Sequence, residues 1–187
     1  MHILFVCRGN ICRSAYAEYT LRNELHHMDA KDITVSSRGL LSLSDRPMDP
    51  HYVSRLADKD IDATTHHSQP LDQESIRSAD LILVFTQSQL DELIDRDFSV
   101  FGKIFPIDDF ANLCQACIHD PSLKPLDNPE DRLHAIVDMA PFVRPTLPTF
   151  HDIADPYRRE DAVYDDVAHR IEQCIHPIAA ALAGTSR

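Results

Sequence analysis

The sequence predicts a three-layer α/β protein: a four-stranded parallel sheet, doubly wound with helices on both faces. Three observations carry this reading. Apolar runs of strand length recur at 3–6, 33–40, 80–86 and 102–107, segments with apolar residues every three or four positions separate them, and the linkers are short. An alternation of strand and helix with short linkers implies right-handed crossovers and parallel strands. A chain of 187 residues buries about two thirds of its unfolded surface, so a single domain over 1–187 is expected.

The elements follow in order. The first strand, Ile-Leu-Phe-Val, ends at Cys7, and a turn through Gly9 and Asn10 leads to Arg13, Ser14 and a helix over 15–25 with Ala17, Leu21 and Leu25 on one face. Residues 33–40 alternate apolar and polar and stop at Gly39, a second strand and its exit. A helix over 48–58 has Asp49 as N-cap, Pro50 in its first turn and Tyr52, Val53, Leu56 and Ala57 on one side. A short helix follows Leu71. Residues 80–86 are nearly continuously apolar, as in a central strand covered on both faces. Leu90, Leu93 and Ile94 mark a helix over 88–97, and 102–107 is the last strand.

Beyond Phe110 the character changes, because eight of the twelve prolines lie from Pro106 to Pro156 and regular periodicity is mostly lost as far as 153. One helix is expected there, starting at Asn128-Pro129-Glu130, carrying Leu133, Ile136, Val137 and Ala140, and ended by Pro141. The stretch 111–152 therefore reads as an insertion, either a lid or specificity element or an ornament without catalytic role. A closing helix over 162–183 presents Val163, Val167, Ile171, Ile175, Ile178 and Leu182 to the sheet, with a bend near Pro177.

A net charge of −12 argues against nucleic acid and acidic membranes as partners. Five cysteines, no cleavable signal segment before the first strand and no apolar run of membrane-spanning length point to the cytoplasm, with reduced thiols and no membrane insertion.

The chemistry concentrates between Cys7 and Arg13. Five residues separate them, so a loop curling over a helix N-terminus aims successive backbone N–H groups at one oxyanion, and that cradle suits phosphate. Its candidate ligands are Arg8, Gly9, Asn10, Ile11, Cys12, Arg13 and Ser14. A cysteine beside a helix N-terminus and a guanidinium is favoured as the nucleophilic thiolate. Arg13 presents a planar fork that holds two phosphoryl oxygens as charge spreads over them. Gly9 permits a sharp turn, Asn10 tolerates a left-handed conformation, and the Ser14 hydroxyl can donate to the thiolate.

The run Val-Cys-Arg-Gly-Asn-Ile-Cys-Arg-Ser, residues 6–14, closely resembles the signature of the low-molecular-weight protein-tyrosine phosphatases. The resemblance covers about 2–110 and 152–185. It implies that family's fold, Cys7 as nucleophile, Arg13 as phosphate ligand, and a general acid from an Asp-Pro pair before the last helix, here Asp155-Pro156. Pro156 keeps Asp155 out of helical geometry, so its carboxylate can project toward the cradle, protonate the leaving oxygen and then activate water. Asp-Pro is also a common turn, and Asp49-Pro50 and Asp120-Pro121 carry the same pair without evident function. The resemblance further implies a reversible Cys7–Cys12 disulfide that protects the nucleophile, and Tyr157 as an aromatic wall of the substrate slot. Three departures mark this chain: Arg8 where many relatives are uncharged, Ala15 in place of the usual proline, and Arg38 in place of a small residue.

Ile11 offers an apolar side chain to the ring of a phosphotyrosine, where a small polar residue would suit phosphoarginine. The expected activity is hydrolysis of phosphotyrosine through a phosphocysteine, without metal or other cofactor. Its expected partners are tyrosine-phosphorylated proteins and a bacterial tyrosine kinase. Arg8 suits acidic residues flanking the phosphotyrosine. The alternatives are a protein-arginine phosphatase, a thioredoxin-linked arsenate reductase needing two further cysteines near the site, and a phosphate-binding module without turnover. Cys114-x-x-Cys117 with His119 could be half of a zinc site completed by His134 or His151, although only one such pair is present. The pairs His26-His27 and His66-His67 read as surface or strand-exit residues.

Overall fold

The computed structural model describes residues 1–184; residue 185, where the resemblance was expected to end, lies outside the described residues. Four strands, β1 (His2–Cys7), β2 (Thr34–Gly39), β3 (Leu81–Val84) and β4 (Ile104–Pro106), form one sheet in the order β2-β1-β3-β4. All neighbours are parallel, with Cys7 in register with Gly39. The chain runs from β1 to one side and later returns to its other side. The crevice at the carboxyl end of β1 is therefore the topological switch point, where open α/β sheets bind ligands.

The pleat sends alternate residues of β1 into two cores. Ile3 and Phe5 pack with α1 (Arg13–His27), α2 (Pro50–Ala57) and elements from the second half of the chain. Leu4 and Val6 pack with Ile76 of α3 (Gln73–Ser78) and Leu93 of α4 (Gln87–Arg96). Residues 3–6 are wholly buried because helices cover both faces. The expected caps are present: Asp49 accepts from the N–H of His51 at the start of α2, and Asn128 accepts from Glu130 at the start of α6 (Pro129–Val143).

Two expectations for the second half need correction. The chain is not irregular after Phe110, because α5 (Ile107–Cys117) starts directly at the end of β4. It buries Ile107, Phe110, Ala111, Leu113, Cys114 and Cys117 in the main core. Those residues do recur at three- and four-residue steps; extending the strand through Ile107 and reading the cysteines as a metal motif hid the period. Pro141 does not end α6, which continues two residues beyond it. A proline this close to a helix end removes an intrahelical bond without displacing a following turn. The closing helix, α7 (Asp161–Ala183), runs through Pro177 as one element, as expected.

Arg132 of α6 is buried with no carboxylate in hydrogen-bond range among the described residues, and donates instead to the carbonyl oxygens of Leu123, Leu126 and Ala181. The 111–152 stretch is thereby fastened to the last turn of α7, where Gly184 takes a left-handed φ of 76° over the guanidinium.

Because Leu113 is fully buried, Leu113→Ala is expected to cost about 2–5 kcal/mol, read as a lowered urea midpoint. An unchanged midpoint would show that α5 packs outside the cooperative core.

Candidate active site

Cys7 ends β1, and the next five residues wrap over the N-terminus of α1. Their carbonyl groups are drawn outward. Cys7 O and Arg8 O accept from the N–H groups of Leu40 and Leu41, Ile11 O accepts from Asp49 N, and Asn10 O accepts from Nε2 of His66 at 2.8 Å. Across a planar trans peptide the next N–H points the opposite way. The N–H groups of Arg8, Gly9, Ile11 and Cys12 therefore converge inward, and none of the five from Arg8 to Cys12 donates to another backbone group among the described residues.

Asn10 holds this curvature. It is buried, with φ 55°. Its Nδ2 donates to Ser14 Oγ at 3.1 Å and Ser37 Oγ at 2.7 Å, and its Oδ1 accepts from Gln69 N at 2.8 Å. Ser37 donates onward to Glu18 at 2.5 Å, and Glu18 is paired with Arg22. Since Ser14 Oγ accepts from Asn10, its proton is free for Cys7 Sγ, 3.0 Å away. The glycine the loop depends on is Gly39 rather than Gly9. A Cβ on Gly39 would lie 3.1 Å from Gly9 C and 3.2 Å from Asn10 N, whereas one on Gly9 would meet nothing nearer than 3.5 Å. His66 corrects the expectation of a surface residue: it is buried and holds the loop from outside.

Arg13 is only 3% exposed. Its Nη1 donates to Ile153 O at 3.0 Å and its Nη2 pairs with Asp155 Oδ2 at 2.9 Å, while buried Nε has no partner among the described residues. Ile153 is placed by its own N–H, which donates to Phe85 O at the end of β3, and Asp152 accepts from Gln87 N. The segment before Asp155 is thus stitched across the crevice. Asp155 is half exposed, and its Oδ1 accepts from Tyr157 N in a tight turn. Arg158 has φ 60°, a left-handed conformation costing a non-glycine residue about 1–3 kcal/mol, and donates its N–H to the Tyr164 hydroxyl.

Cys7, Arg8, Gly9, Ile11, Cys12, Arg13, Asp155 and Tyr157 all line one slot of about 130 Å³, together with Leu41 and Leu43. The two leucines were missed because nothing in an exposed loop sequence marks them as wall residues. Arg8 is tied to Glu92 of α4 at 2.8 Å, so its charge is shared at the rim. Burial, then Asp49, push the Cys12 thiol well up, which keeps it protonated. Asp49 is not idle either: besides capping α2 it holds Ile11 O and accepts from Tyr164. Asp120 is a turn residue, bonded to Ser122.

The slot contains no cysteine besides Cys7 and Cys12 among the described residues. Cys114 and Cys117 face the core, and burial pushes both thiols up, whereas His119, His134 and His151 are exposed. The presumed zinc ligands do not converge. A larger cavity, about 880 Å³, lies among the distal ends of α1 and α5 and the later turns of α7, lined by residues such as His27, His119 and His176, away from Cys7.

Comparisons with known proteins agree with this geometry. A family model described as low molecular weight phosphotyrosine protein phosphatase matches residues 2–143, a span that includes α5 and α6. The chain is 37% identical over 134 residues to a probable low molecular weight protein-tyrosine-phosphatase, EpsP, of Ralstonia nicotianae, covering 72% of this chain and 87% of that protein. It is 34% identical over 122 residues to a protein-arginine-phosphatase of Bacillus subtilis, covering 65% and 79% respectively. The fold superposes on the YwlE arginine phosphatase from Geobacillus stearothermophilus with a TM-score of 0.68 at 26% identity, over 95% of this chain and 90% of that one.

Two predictions follow from the packing around the loop. Gly39→Ala pushes a Cβ into the Gly9–Asn10 backbone, so it is expected to destabilise by about 1–3 kcal/mol and to lower turnover, measured by denaturant midpoint and steady-state kinetics. His51 Nδ1 lies 2.9 Å from Asp49 and Nε2 lies 3.1 Å from Asp161, and these bonds, Asp49 first, raise its pKa above 6.5. The stability gained is full below the ordinary value and lost as pH rises through the raised one. The Tm deficit of His51→Gln is therefore expected to be larger at acid than at alkaline pH; a pH-independent deficit would contradict this.

Proposed function

The chain belongs to the low molecular weight protein-tyrosine phosphatase family, and we propose that it hydrolyses phosphotyrosine in proteins through a phosphocysteine on Cys7. The observation that carries this reading is the set of donors around Cys7: loop N–H groups with no backbone acceptor, above carbonyls bonded outward, and a buried arginine whose Nε has no partner among the described residues. This donor set matches a phosphoryl group with three equatorial oxygens.

The proposed sequence of events uses side chains of the slot, the Ser14 hydroxyl beside it and the N–H groups of the loop. Cys7 Sγ, stabilised as thiolate by the Ser14 hydroxyl, attacks phosphorus in line with the phenolic oxygen. Arg13 and the loop N–H groups hold the equatorial oxygens. The arriving phosphoryl group competes with Asp155 for Nη2, so the half-exposed carboxylate is released from the ion pair, takes up a proton from solvent and delivers it to the leaving oxygen. The S–P bond forms as the P–O bond breaks. Asp155, again a carboxylate, takes a proton from water, which attacks phosphorus as the S–P bond breaks, releasing phosphate and regenerating the Cys7 thiolate. Cys12 has a further role in this reading: peroxide oxidises Cys7 to the sulfenic acid, Cys12 displaces water from it, and the resulting disulfide is reducible.

Ile11, Leu41, Leu43 and Tyr157 make walls suited to a flat phenol ring rather than to a guanidinium, which favours phosphotyrosine over the phosphoarginine of the Bacillus relative. We place the protein in the cytoplasm, because five buried, unpaired cysteines suit a reducing compartment. Among the described residues no helix is long and apolar enough to cross a membrane. Its substrates in this reading are tyrosine-phosphorylated proteins, whose phosphates a bacterial tyrosine kinase supplies. In this reading the chain is a single phosphatase domain over 1–187, with the 111–152 stretch contributing core rather than a lid.

Phosphate release from phosphotyrosine, phosphoarginine and phosphoserine peptides, with arsenate reduction alongside, tests this. Release from phosphotyrosine is expected to dominate, to vanish in Cys7→Ser, and to fall by about 10²–10⁴ in kcat/KM in Asp155→Asn. Faster release from phosphoarginine, or arsenate reduction instead, would overturn the substrate assignment.

A further inference from the structure

The turn that carries Asp155 is held from an unexpected side. Tyr164, in the first turns of α7, accepts from Arg158 N at 3.2 Å and donates to Asp49 Oδ2 at 3.0 Å. Asp49 in turn donates its N–H to Ile11 O of the anion loop at 2.8 Å. One hydroxyl thus links the residue three positions past the proposed acid to the backbone of the phosphate cradle. Arg158 stands at a left-handed φ of 60°, and Tyr164 gives its N–H a fixed partner. The ring is itself immobilised, stacked on His51 at 4.2 Å and edge-on to Tyr52 at 5.4 Å. Burial, then the bond to Asp49, push the hydroxyl up to about 12, so it remains a donor at working pH.

We propose that Tyr164 and Asp49 are positioning residues that lock the Asp155–Arg158 turn to the anion loop and so set the reach of the general acid onto the leaving oxygen. The inference rests on Asp155 being that acid. Neither Tyr164 nor Asp49 lines the slot, so neither is expected to touch substrate. Tyr157 lies on the same turn, and Arg158 caps its ring at 5.1 Å, so the lock also bears on that wall. A contact that serves stability alone would weaken every substrate equally. A lock on the acid must instead matter in proportion to how much proton the leaving group needs.

The test compares phenyl phosphate, whose leaving group needs protonation, with dinitrophenyl phosphate, whose leaving group does not, in the full-length protein. Tyr164→Phe keeps both ring contacts and removes the hydroxyl alone. It is expected to lower kcat/KM about tenfold on phenyl phosphate, a fraction of what general acid catalysis contributes, and less than about twofold on dinitrophenyl phosphate. Inhibition by inorganic phosphate is expected to stay within twofold of the parent. Asp49→Asn is expected to shift the ratio of the two substrates in the same direction, and to add nothing in the Tyr164→Phe background, because the two act as one unit. Equal losses on both substrates, no loss on either, or additive effects of the two variants would overturn the lock. Asp155→Asn is run beside them: if it shows no preference for the better leaving group, the acid assignment fails and the lock with it, whereas a preference there and none in Tyr164→Phe overturns the lock alone.

Discussion

A ring of backbone N–H groups facing inward needs its buried carbonyls bonded outside the ring, and Asn10 is where that requirement is hardest to meet. Its left-handed backbone turns the chain, its side chain fills three hydrogen bonds, and its carbonyl takes the imidazole N–H of buried His66. An unmet bond in so buried a place would cost about 1–3 kcal/mol. The surrounding architecture is arranged to avoid that. Gly39 has no side chain because the exit of β2 presses on the Gly9–Asn10 backbone, and the Gln69 N–H arrives from the loop that precedes α3.

The local charge of the slot is opposite to that of the molecule. A protein of net charge −12 presents a phosphate site through donors that long-range charge does not govern: oriented peptide N–H groups, a helix N-terminus and one buried guanidinium. Arg13 is held by Ile153 O on one nitrogen and by Asp155 on another, so the proposed acid waits in a bond that an arriving phosphoryl group contests. Arg8 shows the contrary case. Its charge at the rim is spent on Glu92, which also pairs with Arg96, and Arg96 reaches Leu40 O beside the slot-lining Leu41. Selection of acidic flanking residues by Arg8 would require breaking that pair.

The distal half of the chain supports the site mechanically. Segment 151–155 is pinned by Phe85, Gln87 and Arg170 before it delivers Asp155, and α5 and α7 form the floor against which it is pinned. Arg132 extends the same logic to the far end, closing α6 onto the last turn of α7 through Ala181 O and onto the loop before α6 through Leu123 O and Leu126 O.

The sequence by itself determined the sheet, its parallel winding and the neighbourhood of Cys7 and Arg13, because these depend on local periodicity and on residues seven positions apart or fewer. It failed at α5, where a strand end, a helix start and a Cys-x-x-Cys spacing overlap, and at Pro141, which lies too close to the end of α6 to stop it. Only the tertiary structure decided that Gly39 rather than Gly9 is sterically required, that His66 is buried, that Leu41 and Leu43 wall the slot, and that Tyr164 reaches Asp49. The reason is sequence separation. Those contacts join residues about 30 to 115 positions apart, and a one-dimensional pattern records what a residue is without recording which distant surface it meets.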